Sequence, residues 1–247
     1  MTPGARLQSA IGLLHAVDAG SAAADRIGAA WFRARRYAGA KDRRAIGDVV
    51  YGVLRRRAEL AWKLKRIGVE PSPRLLVFAA SGIAPDALAG DGSRHAVAPL
   101  DPDEREALAR LAETADADLP DWARANLPEW LAAPLRARFG AALIAECKAL
   151  NERAPVDLRV NTLKSDRTAV LAQLAAAGID AQPTPHAPHG IRLAGHPRID
   201  GLPLFRDGAV EPQDEAAQLA ALLVDARPGM RVVDLCAGAG GKTLALA

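Results

Sequence analysis

The residues best suited to chemistry lie near the end of the 247-residue chain, in the stretch VVDLCAGAGGKT from Val232 to Thr243. A run of buried-strand character, Met230 to Cys236, leads into a glycine-rich turn that opens a helix. Such a turn holds nucleotide-type ligands at the carboxyl end of a doubly wound sheet. Gly238, Gly240 and Gly241 carry no Cβ, so backbone there can turn sharply and approach a ligand closely. Free N–H groups at the start of the following helix favour an anionic group such as a carboxylate. Asp234, at the strand's end, suits a cationic group of the ligand or a hydrogen-bonded water. Two rival motifs fail at one position each. A phosphate-cradling G-x-x-x-x-G-K-[ST] loop fits Gly241, Lys242 and Thr243 but needs glycine at 236, where Cys236 stands. A G-x-G-x-x-G dinucleotide fingerprint begun at Gly238 needs glycine at 243, where Thr243 stands. The strand–turn–helix pattern alone fits many enzymes.

The other chemistry-bearing side chains are sparse. The two cysteines, Cys147 and Cys236, are far apart and form no CxxC or Cys/His ligand set. This spacing predicts neither a zinc site nor a disulfide framework, and favours a reducing, cytoplasmic setting. Cys147 lies in a helical pattern over 141–150 and reads as a small buried apolar residue. Cys236 reads as a small packing or backbone-lining residue of the turn. His186, His189 and His196 sit in a Pro/Gly loop without carboxylate or cysteine spacing, so no metal is expected. Trp31, Trp62, Trp122 and Trp130 read as core or interface packing.

Half of the residues are hydrophobic and a quarter charged, which excludes a compositionally disordered chain. The apolar run of the N-terminus is too short and interrupted for a signal peptide or membrane span. The net charge of +3 hides an uneven distribution. Residues 1–70 hold 14 Lys/Arg against 6 Asp/Glu, whereas residues 86–146 hold 6 against 12. A basic block of this kind neutralises phosphates and holds a polyanion in a salt-dependent way; an ordinary solvated helix face is the alternative.

Several elements must position these residues. Leu7, Ile11, Leu14 and Val17 recur at helical spacing, Ile27, Trp31 and Phe32 form a second apolar face, and Asp42 is placed to cap a third helix. The third stripe is Ile46, Val49, Val50, Val53, Leu54, Leu60 and Leu64. Gly68 to Pro73 breaks it. Further helix is predicted over 73–82, 102–115 and 128–152, with a surface loop over 84–102. Val156 to Asn161 alternates apolar and polar, which predicts a strand. A helix from Arg167 to Ala177, ended by Gly178, and short strands over 179–182 and 190–193 complete a small α+β module. The linker 201–208 leads to a helix at about 212–225.

The stretch DLCAGAGGKT (234–243) resembles the first methyltransferase motif of the Nop/Sun (Fmu) family of RNA cytosine-5 methyltransferases, usually D-x-C-A-x-P-G-G-K-T/S, with Ala239 in place of the usual proline. VEPQDEAAQL (210–219) resembles that family's helix just before the sheet. Asn151 to Lys164 resembles its preceding small domain. Lys41 to Arg44 and Val50 to Arg55 resemble the helical NusB-like domain of the bacterial ribosomal-RNA members. The resemblance implies a multidomain chain: a NusB-like all-α RNA-binding domain over 1–140, a small α+β domain over 141–210, and over 211–247 the start of a Rossmann-like α/β methyltransferase domain. It implies S-adenosylmethionine as cofactor, held by Asp234, Cys236, Ala237, Gly238, Ala239, Gly240, Gly241 and Lys242. It also implies RNA, ribosomal RNA in particular, as partner. Candidate RNA contacts are Arg43, Arg44, Arg55, Arg56 and Arg57 in the basic block, and Arg159 and Asn161 in the small domain.

The chemistry implied needs a cysteine thiolate that adds to C6 of cytosine before C5 is nucleophilic enough to take a methyl group. Neither cysteine fits that role; the resemblance places the nucleophilic and releasing cysteines beyond Ala247. Val232, Val233 and Leu235 need neighbouring strands on both sides. The expectation is therefore an N-terminal portion of an enzyme, inactive on its own. A non-catalytic RNA-binding or assembly module is the second reading, and a nucleotide-phosphate-binding protein the third.

Overall fold

The computed structural model describes residues 1–82 and 95–247. They form two compact units, Met1–Glu152 and Arg153–Ala247. Most of the loop expected over 84–102 lies outside the described residues; of its remainder, Val97 and Leu100 are buried in the first unit's core.

The first unit is helical. Helix α1 (Pro3–Ala19) starts where the Thr2 hydroxyl accepts a hydrogen bond from the Ala5 amide, with Pro3 in the first turn. Helix α2 (Ala24–Arg33) follows, then the 27-residue α3 (Ala40–Arg66). Gly39, not Asp42, occupies the N-cap of α3. Asp42 stands inside the first turn, where its carboxylate takes the Arg6 guanidinium at 2.8 Å and the N-terminal amine at 3.3 Å. Helix α4 (Pro73–Ser81) is capped by the Ser72 hydroxyl and is followed by left-handed Gly82; α5 (Pro102–Glu113) opens on a capping box between Asp101 and Glu104. The core forms where Leu7, Leu14, Ile46, Val53, Leu60, Leu64, Leu76 and Val77 meet. From the expected stripe of α3, Val49 and Leu54 are only half-buried.

Helix α6 (Asp121–Arg124), α7 (Glu129–Phe139) and α8 (Leu143–Asn151) complete this unit. The single helix expected over 128–152 is broken at Gly140, which adopts φ +54°. Cys147 is buried beside Ala125 and Leu143, as its helical pattern implied. Trp31, Trp62 and Trp122 are half-buried, whereas Trp130, expected to pack, is 75% exposed because it stands in the first turn of α7, a helix that buries no residue. The division after Glu152 differs from the 140/141 boundary expected from the sequence, because Leu143 and Cys147 pack on Ala125 of the helical unit.

One residue ties α3 to the chain after α6. Asn126 has φ +54°. Its side-chain oxygen accepts from the Ala58 amide at 2.9 Å, and its Nδ2 donates to the Leu54 carbonyl at 3.0 Å. These are the two groups that an unbroken α-helix pairs with each other, so Asn126 brackets one turn of α3.

The second unit is built on a four-stranded antiparallel sheet of order β2-β3-β1-β4. Its strands are β1 (Val156–Val160), β2 (Ala181–Pro183), β3 (Gly190–Leu193) and β4 (Val210–Pro212). Leu158 faces Ile191 on one side and Pro212 on the other. Leu158, Val160, Ile191, Leu193 and Val210 bury one face with Val170 and Leu174 of α9 (Arg167–Ala176). Alternation sends Asp157, Arg159 and Arg192 to the opposite, polar face. Strand β4 was not expected, since three residues carry no readable alternation; Pro212, which has no N–H to donate, is tolerated on this edge strand. Short α10 (Pro203–Arg206) lies in the expected linker. Helix α11 runs Glu215–Leu223, shorter than expected, with Asp214 as its cap and Asp225 at φ +50° beyond its end.

Residues 230–236 do not form the expected strand, and α12 (Gly241–Leu246) follows the turn directly. Val233 is 85% and Leu235 91% exposed. A buried parallel strand exists only when neighbours pair its N–H and C=O groups and cover both faces, and no such neighbours stand beside this segment among the described residues.

Candidate nucleic-acid interface and cofactor turn

The glycine turn keeps part of its expected geometry without a strand behind it. Gly238 adopts φ +57° and Gly240 φ +88°, conformations that cost a residue with a side chain about 1–2 kcal/mol. A Cβ on either would meet nothing within 4 Å, so the turn is open on that side. The Thr243 hydroxyl donates to the Asp234 carboxylate at 2.8 Å and closes the turn end to end. Asp234 and Thr243 line an open cavity of about 560 Å³ together with residues 226–230 and Val232. Of the eight residues expected to hold the cofactor, only Asp234 lines it. Cys236 is exposed, not packed as expected, since nothing beside residues 230–236 covers it. The residue types suit a small zwitterionic cofactor: two left-handed glycines, an acid before the turn and Lys242 in the first turn of α12.

Behind the turn, the polar face of the sheet forms a charged clamp. Asp157 is fully buried at its side chain and accepts from Arg192 Nε at 2.7 Å, Arg192 Nη2 at 2.8 Å and the Glu215 amide at 3.2 Å. Glu215 in turn accepts from the His186 amide at 2.6 Å and the Ala187 amide at 3.0 Å. Burial raises the Glu215 pKa, but the Ala187 and His186 amides outweigh it and hold the carboxyl below its ordinary value. Gln218 Nε2 donates to the carbonyls of Leu158 and Gln213, and Gln213 Nε2 lies 3.5 Å from where a Cβ of Gly241 would stand. Sequence reasoning missed Asp157, Arg192, Gln213, Glu215 and Gln218 as site-shaping residues. Their one signal was the QDE stretch, noted only as a helix start.

The expected RNA contacts divide by what already holds them. Arg159 donates to Glu211 at 2.7 Å and is largely buried, and its Nε has no partner. Asn161 donates to the Gly208 carbonyl at 3.1 Å and accepts from the Leu163 amide. Both are committed to the small domain's own framework. In the helical unit, Arg56 makes two hydrogen bonds to Glu59, and Arg57 reaches Asp18 at 2.5 Å. Arg43 donates to the Ala38 carbonyl and lies over the Phe32 ring. Arg55 lies over the Tyr51 ring at 5.8 Å, and neither it nor Arg44 has a carboxylate partner among the described residues. Arg55, Arg56 and Arg57 occupy the turn of α3 that Asn126 brackets, so one side chain from a distant segment fixes how the triplet is displayed. An open cavity of about 370 Å³ beside Arg55 and Arg56 is lined by Arg124 and Lys148 and also by Glu59 and Glu152, a mixed rather than a purely basic lining. The three histidines form no metal-holding group with acids or cysteines among the described residues.

The antiparallel order β2-β3-β1-β4, with α9 packed on one face, gives the first part of the second unit a ferredoxin-like arrangement ahead of the glycine turn. Residues 127–200 match the family model described as the ferredoxin-like domain of RsmF/B-like methyltransferases. Ribosomal RNA small subunit methyltransferase B of Pseudomonas putida is 48% identical over 99 residues, covering 40% of this chain and 23% of that protein. The protein of the same name from Sodalis glossinidius is 30% identical over 235 residues, covering 82% of this chain and 52% of that protein. Among solved structures, the crystal structure of PH0851 covers the whole chain and 61% of its own, with a TM-score of 0.67 at 21% identity, a likeness of fold. Over most of its length the chain is therefore similar to RsmF/B-like (Sun/Fmu) methyltransferases. It spans about half the length of the curated relatives that match 82% of it.

Proposed function

We propose that this chain serves an S-adenosylmethionine-dependent RNA cytosine-5 methyltransferase acting on ribosomal RNA. Residues 1–152 act as the RNA-binding front end, 153–210 as the joining module and 211–247 as the entry to the cofactor-binding domain. The observation that carries the reading is the closed turn from Asp234 to Thr243, with two left-handed glycines, which follows the ferredoxin-like match over 127–200 after β4 and α11. Asp234, Cys236 and the run from Ala237 to Lys242 would line the methionine and ribose side of the cofactor. The bound cofactor supplies the methyl group. The thiolate that adds to C6 is neither Cys147, which is buried in the helical unit, nor Cys236, which stands in the turn.

The bare 230–236 segment favours a second reading for residues 1–247 alone, a non-catalytic RNA-binding module. One titration separates the readings. Residues 1–247 are expected to bind S-adenosylhomocysteine weakly, lose that binding on Asp234→Ala, ignore ATP with magnesium, and show no methyl transfer. Binding of ATP with magnesium in place of S-adenosylhomocysteine would make the turn a phosphate loop. Turnover by residues 1–247 would contradict the assignment of the two cysteines.

RNA binding has its own check. Charge reversal at Arg44 and Arg55 is expected to lower the salt dependence of RNA affinity by roughly 1.4, two phosphates at about 0.7 each for a single strand. Reversal of Arg56 and Arg57, already neutralised by Glu59 and Asp18, is expected to do less. An unchanged slope in the first variant would remove RNA contact from this face.

A further inference from the structure

The groove between α1 and the end of α2 is assigned to no role above. We infer that it binds one unpaired base of single-stranded RNA, stacked on Tyr37 and on the Arg35–Trp31 pair. The inference rests on the RNA-binding reading and adds to it a site that reads bases rather than phosphates.

The groove has a volume of about 880 Å³ and is lined by Gln8, Ser9, Trp31, Arg35 and Tyr37 among others. That size falls within the roughly 300–1,000 Å³ of small-ligand sites. The Arg35 guanidinium lies 3.9 Å from the Trp31 ring centroid, and its Nη1 donates back to the Trp31 carbonyl at 3.3 Å. Trp31 is itself held edge-on against Phe32, with ring centroids 5.1 Å apart and planes at 88°. A guanidinium is thus held over an indole, one layer that a flat ring can extend by stacking. Tyr37, which also lines the groove, is 70% exposed. A lone exposed aromatic is ordinary. An exposed ring sharing a groove with a stacked guanidinium is the combination that single-stranded nucleic acid uses.

Charge selects the partner. Residues 33–44 hold six cations, Arg33, Arg35, Arg36, Lys41, Arg43 and Arg44, against one carboxylate, Asp42. Asp42 is already engaged by Arg6 and the N-terminal amine, and the Arg6 hydrogen bond holds it below the usual carboxylate range. A flat, uncharged ring carried on an anionic backbone matches this surface, and that is a nucleotide within a polymer. A paired base has both faces covered by its neighbours, so the base must come from a single strand. The Gln8 amide and Ser9 hydroxyl supply donors and acceptors for its edge.

The test uses the 247-residue chain and a fluorescent single-stranded adenine-rich RNA ten-mer, with a duplex of equal length beside it. Tyr37→Ala is expected to weaken single-strand binding about tenfold, or about 1.4 kcal/mol, with the salt slope and duplex affinity unchanged. Tyr37→Phe keeps the ring and is expected to bind within about twofold of the parent. Tyr37→Ala binding the ten-mer like a salt-sensitive parent would overturn the groove while leaving RNA binding intact. Equal losses for Ala and Phe, or equal losses on single strand and duplex, would overturn it too. A parent chain that binds neither RNA at low salt ends both readings together.

Discussion

Asn126→Ala is expected to lower the stability of the helical unit by about 3 kcal/mol. The change leaves the Leu54 carbonyl and the Ala58 amide without the partner that now bridges them. Each part-buried group so orphaned costs about 1–3 kcal/mol, reduced if the helix can close its own bond. It also forces alanine into φ +54°, where a Cβ costs about 1–2 kcal/mol and asparagine is tolerated. The two costs separate experimentally. Asn126→Gly removes the bridge and relieves the backbone, so its loss is expected to be smaller by about 1 kcal/mol. Asn126→Asp keeps the acceptor for Ala58 but turns an oxygen toward the Leu54 carbonyl. All four tryptophans lie within residues 1–152, so urea unfolding followed by tryptophan fluorescence reports this unit alone. A shift below about 1 kcal/mol for Asn126→Ala would mean that α3 closes its ladder without the bracket.

That bracket also shows where reading a sequence stops. Leu7, Leu14, Ile46, Val53 and Leu64 repeat at helical spacing, and Ser72, Pro73, Asp101 and Glu104 mark helix starts with short-range chemistry. Such signals span a few residues and are legible. Asn126 acts on Leu54, 72 positions away, and nothing local distinguishes it from any loop asparagine. Strand β1 was legible from its alternation. Strand β4 was not, because three residues become a strand only when β1 accepts them. The 230–236 segment shows the converse error: Val232, Val233 and Leu235 have strand propensity, but propensity without a partner leaves them unpaired and exposed. In the candidate site, the glycine turn was read from residue types, and its left-handed backbone follows from them. Arg56, Arg57 and Arg159 were read as candidate RNA contacts, and only the fold reveals the carboxylates beside them.

The second large effect is expected at Asp157. Its carboxylate is buried and takes Nε and Nη2 of Arg192 and the first amide of α11, joining β1, β3 and the helix that precedes the glycine turn. Asp157→Ala leaves Arg192 with Glu215 alone, at 3.4 Å. Removing one partner of a buried ion pair costs about 3–5 kcal/mol, because the other charge stays desolvated. Arg192 is about a third exposed, so the lower end is expected. The second unit has no tryptophan or tyrosine, so the measurement is amide exchange at β1 and β3. Replacing Arg192 by methionine in the Asp157→Ala background is expected to recover part of the loss, since no unpaired charge then remains. The pH dependence tests the other half of the clamp. The Glu215 pKa is depressed on folding, so its contribution is complete above its unfolded value near 4.5 and is lost as pH falls through the lower folded value. Protection of β1 and β3 is therefore expected to decline as pH falls below about 4.5 in the parent chain, and to decline less in Glu215→Gln. Equal acid sensitivity in both would show that the His186 and Ala187 amides bind this side chain no better when it is charged. The loop and α11 would then be held to the sheet by Asp157 and Arg192 alone.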